Sequence, residues 1–285
     1  MTSISKQRSS SFLGFIAIIC GCFLVIIYIP HRTTKKEPQL HQCNAGPVPH
    51  IAGVLESAQL LALTNKSFVR FGDADIDLMM GIGKVWQRAS TELAMALLSV
   101  LRVEDKELFI GLPDTFSGCS EHHRDVVTFY HQHDVYRQFL MKEVKLDRQY
   151  LQTWLTTPYV YNAHSACLLL SDIYRTLRTI WRDKHIVLLR GDNKQVYNHD
   201  IYDTARSQTV IYAPRYQAYD AYAVLREQLM NQDPDALYIL TAGPVSKLLI
   251  LDLVKVGRRA LDLGHLAKDY NLYCDNLPVG DFWVD

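Results

Sequence analysis

Neither sign of charge prevails in this chain: 30 Lys and Arg are matched by 30 Asp and Glu over 285 residues. Without a basic surplus to neutralise a phosphate backbone, the composition gives no reason to expect DNA or RNA as a partner. Cysteine is scarce, and no C-x-x-C pair occurs, which removes the common zinc and dithiol patterns. There is no G-x-G-x-x-G, no G-x-x-x-x-G-K-[ST] and no G-x-S-x-G. Dinucleotide, P-loop and serine-hydrolase readings therefore have no support. What is present is apolar content, 48% of residues, which excludes a disordered chain and suits one globular domain with an appendage.

The appendage is N-terminal. A tail over residues 1–11 carries Lys6 and Arg8, and residues 12–30 (FLGFIAIICGCFLVIIYIP) hold no charge. At about 1.5 Å per residue a helix over that stretch reaches roughly 28 Å, one hydrocarbon core. The rival is a cleaved signal peptide, but Tyr28, Pro30, His31 and Arg32 make no small-x-small cleavage site. The expectation is an uncleaved single-pass anchor in the type II layout, with an ER- or Golgi-like location in a eukaryotic cell. Basic residues on the two sides nearly balance, so they leave orientation open. Residues 31–50, polar and rich in proline, read as a stem. Asn65-Lys66-Ser67 is a glycosylation sequon should the domain be lumenal. Cys43, Cys119, Cys167 and Cys274 suit either two disulfides or four free thiols.

Residues 51–285 alternate helical and strand patterns. Helical periodicity falls on 51–64, 88–102, 121–140, 165–182, 216–231 and 245–256. Short apolar runs SFVRF, ELFIGLPD, HIVLLRGD, TVIYAP, ALYILTAGP and RRALDLGH read as strands. This alternation predicts an α/β domain, a Rossmann-like and mostly parallel sheet with helices on both faces. Such sheets bind ligands at the carboxyl ends of their strands. The polar turns fall there: Gly72-Asp73-Ala74-Asp75, Leu112-Pro113-Asp114, Gly191-Asp192-Asn193, Gly243-Pro244-Val245-Ser246-Lys247 and Gly264-His265.

Asp73-x-Asp75 is the sharpest of these. Two carboxylates at that spacing can share Mn²⁺ or Mg²⁺, ions that take oxygen ligands and keep waters and phosphate oxygens. A helix N-cap accounts for one such Asp equally well. His122, His123, His131 and His133 match no zinc spacing and read as a solvated helix face. Tyr212, Tyr216, Tyr219 and Tyr222 suit stacking on a nucleobase or sugar, or simply a helix surface.

The run Arg70-Phe71-Gly72-Asp73-Ala74-Asp75 with Leu78, Gly81 and Gln87 resembles the opening motif of the GT-D-fold glycosyltransferases, nucleotide-sugar-dependent enzymes with a D-x-E at this place. YILTAGPVSKLLILDLVKVGRRALDLGHLAKDY is similar to that family's closing block, and Asn198-His199-Asp200-Ile201-Tyr202 to its middle segment. The likeness covers most of residues 52–272. Asp75 stands where the family carries Glu, Ala74 replaces its usual Gly, and the middle segment is one residue longer.

The resemblance implies a hexosyltransferase using a nucleotide diphosphate sugar, a UDP-hexose first, and a glycan or glycoprotein acceptor. Asp73 and Asp75 would hold the metal against the diphosphate. Arg70 would reach a phosphate or pair with Asp73. Gly72, Gly243, Pro244 and Ser246 would border the donor, the last three by opening a helix whose N–H groups can face an anion. His265 would serve as base or sugar contact, or bond structurally to Asp262. Asp192 and Asp200 are further candidates for the base. A catalytically inactive glycan- or partner-binding relative and a metal-dependent phosphoesterase are the alternatives.

Overall fold

The computed structural model describes residues 19–20, 23–24, 48–113, 116, 134–161, 167–192 and 197–279. Ile19–Cys20 and Phe23–Leu24 pair as two antiparallel strands where a helix was expected. The rest of the proposed anchor, the stem up to residue 47, the histidine-rich segment 122–133 and the N-terminal part of the 121–140 helix lie outside the described residues. No helix among the described residues is long and apolar enough to cross a membrane.

Runs such as Ile186–Leu189 and Leu237–Leu240 are buried along their whole length. A strand with both faces apolar needs a helix on each side, and that requirement organises the domain. Eight strands form the sheet: β1 (His50–Ile51), β2 (Ser67–Arg70), β3 (Leu108–Leu112), β4 (Gln149–Gln152), β5 (His185–Gly191), β6 (Ser207–Ala213), β7 (Leu237–Thr241) and β8 (Ala260–Asp262). Their order is β1-β4-β3-β2-β8-β7-β5-β6, and every pairing is parallel.

Alternation along each strand divides the core in two. Val69, Val187, Leu189, Tyr238 and Leu240 point to one face. There they meet α2 (Asp73–Met79), α3 (Thr91–Leu101), α4 (Asp134–Glu143), α6 (Tyr222–Met230) and α7 (Val245–Lys255). Phe68, Ile186, Leu188, Ile239 and Leu261 point to the other. They pack on α1 (Val54–Leu63), α5 (Cys167–Trp181) and α8 (Leu266–Cys274). Helix α7 ends at a glycine: Gly257 takes φ +76°, and the N–H groups of Gly257 and Arg258 donate to Val254 and Leu253.

Three elements escape the sequence pattern. Strand β1 begins at His50, inside the expected stem. Strand β4 has a glutamine at each end and a single apolar pair between them. Helix α8 mixes its apolar stripe with Lys268, Asp269 and Asn271, two of which are buried through hydrogen bonds rather than by apolarity.

The chain leaves β2 toward β3 and returns from the far side to lay β8 against β2. That reversal is a topological switch point, where open α/β sheets bind ligands. The two strands are in register at Leu261 and Phe68. Beyond that pair their ends carry Arg70 and Asp262, whose side chains meet across the gap.

Candidate active site

Strand β2 delivers Arg70, then Phe71 and Gly72, and α2 starts at Asp73. Asp75 sits at the third helical position, and its Oδ2 accepts the Gly72 N–H at 2.9 Å. The capping role therefore belongs to Asp75. Its other oxygen, Oδ1, lies 3.1 Å from Lys247 Nζ, an ammonium that is 2% exposed on α7. Lys247 Nζ is also 3.1 Å from Asp262 Oδ2 at the end of β8. Asp262 Oδ1 in turn faces Arg70 Nε at 3.6 Å and accepts the Gly264 N–H at 3.1 Å. Arg70, Asp262, Lys247 and Asp75 form a row of alternating sign with no net charge. Burying it without that balance would cost several kcal/mol per ion.

Asp77, one turn further along α2, is also compensated: Lys84 pairs with it, and the Tyr136 hydroxyl donates to its Oδ1 at 3.0 Å. Asp73 differs. It has no cation within 4.0 Å among the described residues, and burial pushes its carboxyl above the usual range, with Asp75 and Asp77 adding repulsion. The Tyr161 hydroxyl is held well above its ordinary pKa, first by burial and then by the charge of Asp73. The Ala74 N–H and the more distant charge of Lys84 oppose the upward shift of Asp73, which is left without an ion pair among the described residues.

Asp73 and Asp75 are the residues here that could take part in holding a divalent ion of the Mg²⁺ or Mn²⁺ kind. No cluster of three or more His, Cys, Asp or Glu that could hold a metal occurs among the described residues. One or two carboxylates completed by water and phosphate oxygens is how such ions are usually held. Asp73 is the carboxylate with a charge to offer, and Asp75 is the neighbour already shared with Lys247.

The other expected residues divide. Gly243 follows β7 with φ +68°, a conformation glycine accepts readily. Pro244 takes the cap position of α7 at φ −64°. Ser246 does not present its hydroxyl as an anion contact: it is fully buried, and Oγ accepts the Ala242 N–H at 2.9 Å. The N–H groups of Ser246 and Lys247 bond back to Gly243 and Pro244, so this helix start serves the turn rather than an anion. His265 is exposed at the carboxyl end of β8, directly before α8. Asp192 is exposed just past β5, at the same end of the sheet.

Asp200 is elsewhere. Its carboxylate accepts from Gln208 Nε2 at 3.1 Å, at the amino end of β6. Its neighbour His199 bonds to Asn271 and Asp275, at the C-terminal end of α8. Parallel strands put that end opposite the switch point, so Asp200 is removed from the acid–base candidates.

Sequence reasoning placed Lys247 in the turn after β7 but gave it no role, and it missed Asp262 as an ion-pair member and Tyr161. Lys247 had a readable signal, a lysine on the buried stripe of an apolar helix. Asp262 had a comparable one, a carboxylate inside the apolar run ALDL. Tyr161 had none, because its place beside Asp73 depends on the chain returning after β4.

Residues 68–279 match the family described as "Glycosyltransferase GT-D fold". The chain is 28% identical over 251 residues to "Probable glycosyl transferase Gly" of Streptococcus gordonii, covering 87% of this chain and 36% of that protein. It is 25% identical over 224 residues to "Glycosyltransferase GlyD" of Streptococcus pneumoniae, covering 77% and 27%. The chain thus spans about a third of the length of these curated relatives. A solved structure reported as "The highly conserved domain of unknown function 1792 has a distinct glycosyltransferase fold" superposes with a TM-score of 0.75 at 26% identity, over 80% of this chain and 83% of that one.

Proposed function

The chain belongs to the GT-D-fold glycosyltransferase family, and on that premise we propose that it transfers a hexose from a nucleoside diphosphate sugar, a UDP-hexose first, to a glycan or glycosylated acceptor. The observation that carries this reading is Asp73, a partly buried carboxylate with no ion-pair partner among the described residues, at the switch point of a parallel sheet. Mn²⁺ or Mg²⁺ bound there would offset the charge that the diphosphate gains as it leaves. Asp73 and Asp75 are its proposed ligands.

The chain's own groups carry the rest. Arg70 stands beside the acidic turn, 17% exposed, its Nε without a hydrogen-bond partner among the described residues. Its planar guanidinium is suited to bidentate contact with phosphate oxygens. Gly72 and the Gly243-Pro244 turn, lacking bulky side chains, border the space a donor would occupy. His265 takes the proton of the acceptor hydroxyl; that oxygen bonds to the anomeric carbon, and the bond from that carbon to the diphosphate breaks, its electron pair leaving with the phosphate. Asp192 is the second candidate for the proton. The uncharged stretch 12–30 supports attachment to a membrane, which C-terminal reporter fusions test.

The test is a thermal shift against a panel of nucleoside diphosphates with and without Mn²⁺, followed by a transfer assay. A shift with UDP that needs Mn²⁺ and is lost in Asp73→Asn supports the reading. Silence across the panel defeats it. Hydrolysis that ignores an acceptor would indicate a phosphoesterase, and binding without turnover an inactive relative.

A further inference from the structure

Between α2 and α3 the chain makes a tight turn, Lys84–Gln87, closed by backbone bonds between its first and last residues. The turn is fastened on three sides. Lys84 pairs with Asp77 of α2. The Trp86 carbonyl accepts the Gln217 N–H at 2.8 Å, with Gln217 at φ +53°. Gln87 is 1% exposed, and its Oε1 accepts the Tyr219 N–H at 3.2 Å. Gln217 Oε1 in turn accepts the Arg88 N–H at 3.0 Å.

The product of this scaffolding is the position of Trp86. Its ring rests on the Gly243 turn, with Cζ3 3.6 Å from where a Cβ at 243 would stand. Yet the residue keeps 36% of its surface in solvent. An indole carried on a turn fastened at its backbone and left partly bare at the carboxyl end of β7 is a stacking surface part of whose ordering cost was met on folding.

We propose that Trp86 is the nucleobase platform of the donor site, taking the flat face of the base of a nucleoside diphosphate. This rests on the donor reading above. Asp73 follows β2 and Gly243 follows β7, with β8 between them. Two strand spacings separate the positions by roughly 10 Å. A diphosphate anchored at Asp73 reaches that far through its ribose to its base, whereas the hexose bonded directly to the diphosphate stays nearer the metal. Trp86 is therefore assigned to the base, and discrimination among bases falls to polar groups around it.

Calorimetric titration of the full chain with Mn²⁺ tests this, using inorganic pyrophosphate and whichever of UDP, GDP, CDP and ADP binds tightest. Wild type should bind the nucleotide more tightly than pyrophosphate. Trp86→Ala should weaken the nucleotide about tenfold or more and leave pyrophosphate unchanged, while Trp86→Phe keeps most of the affinity. A nucleotide affinity unaffected in Trp86→Ala overturns the inference but not the donor reading. Equal weakening of nucleotide and pyrophosphate makes Trp86 a purely structural residue and overturns it also. Wild type that binds neither ligand defeats the donor reading, and this inference with it.

Discussion

Arg70 occupies the space that a side chain at Gly264 would need. A Cβ at Gly264 would fall 2.1 Å from Arg70 Nη2, and the residue takes φ +45°. The guanidinium is thereby laid across the end of β8, next to Asp262.

Gly264→Ala is accordingly expected to push Arg70 off Asp262 and to destabilise the fold by about 1–3 kcal/mol. Urea titration measures the loss. In an Arg70→Ala background the same change should cost less, because the clash is gone and the φ penalty alone remains. Equal costs in both backgrounds would show that the two residues do not interact.

Lys247→Met keeps the length of the side chain and removes its charge. Asp75 and Asp262 then stay buried beside each other with Arg70 alone to offset them. The expected loss is about 3–5 kcal/mol. A loss below 1 kcal/mol would mean that water reaches these carboxylates and that the row of charges is not closed.

Asp269 predicts a pH dependence. It is fully buried on α8 and accepts the Tyr159 and Val160 N–H groups at 3.1 Å and the Tyr174 hydroxyl at 2.5 Å. Burial pushes its carboxyl up to about 7, the hydrogen bonds opposing. The folded state then holds a proton that the unfolded chain releases near pH 4. Stability from this group is complete below that point and is lost as pH rises to 7, by an amount on the order of a few kcal/mol. Asp269→Asn mimics the protonated form. The stability of wild type relative to Asp269→Asn should fall from pH 4 to 7 and then level. Parallel curves would mean that the carboxylate is already ionised in the fold.

His265→Ala and Asp200→Asn separate the two ends of the sheet. Loss of the proposed base should lower turnover by roughly 10²–10⁴-fold while nucleotide binding persists. Asp200→Asn, at the amino end of β6, should leave turnover within about twofold of wild type. The reverse pattern would require an acceptor site at the opposite end of the sheet.

Much of this fold can be read along the chain because its signals are local. Ile186–Leu189 and Leu237–Leu240 are apolar at every position, which announces a strand covered twice. Gly257 ends α7 by its own backbone freedom. Asp73 and Asp75 mark the acidic turn through spacing alone. Strand β4 and helix α8 stay hidden because neighbours distant in sequence decide their burial, as Asp269 shows by satisfying Tyr159, Val160 and Tyr174.

Composition and periodicity by themselves determined the parallel α/β class and the end of the sheet where polar turns collect. Tertiary structure alone decided which acids are already neutralised. Lys247 reaches Asp75 and Asp262 from a third element, leaving Asp73 as the carboxylate without an ion pair among the described residues. Periodicity reports which face of an element is apolar; whether a carboxylate is compensated depends on where another segment's ammonium comes to rest.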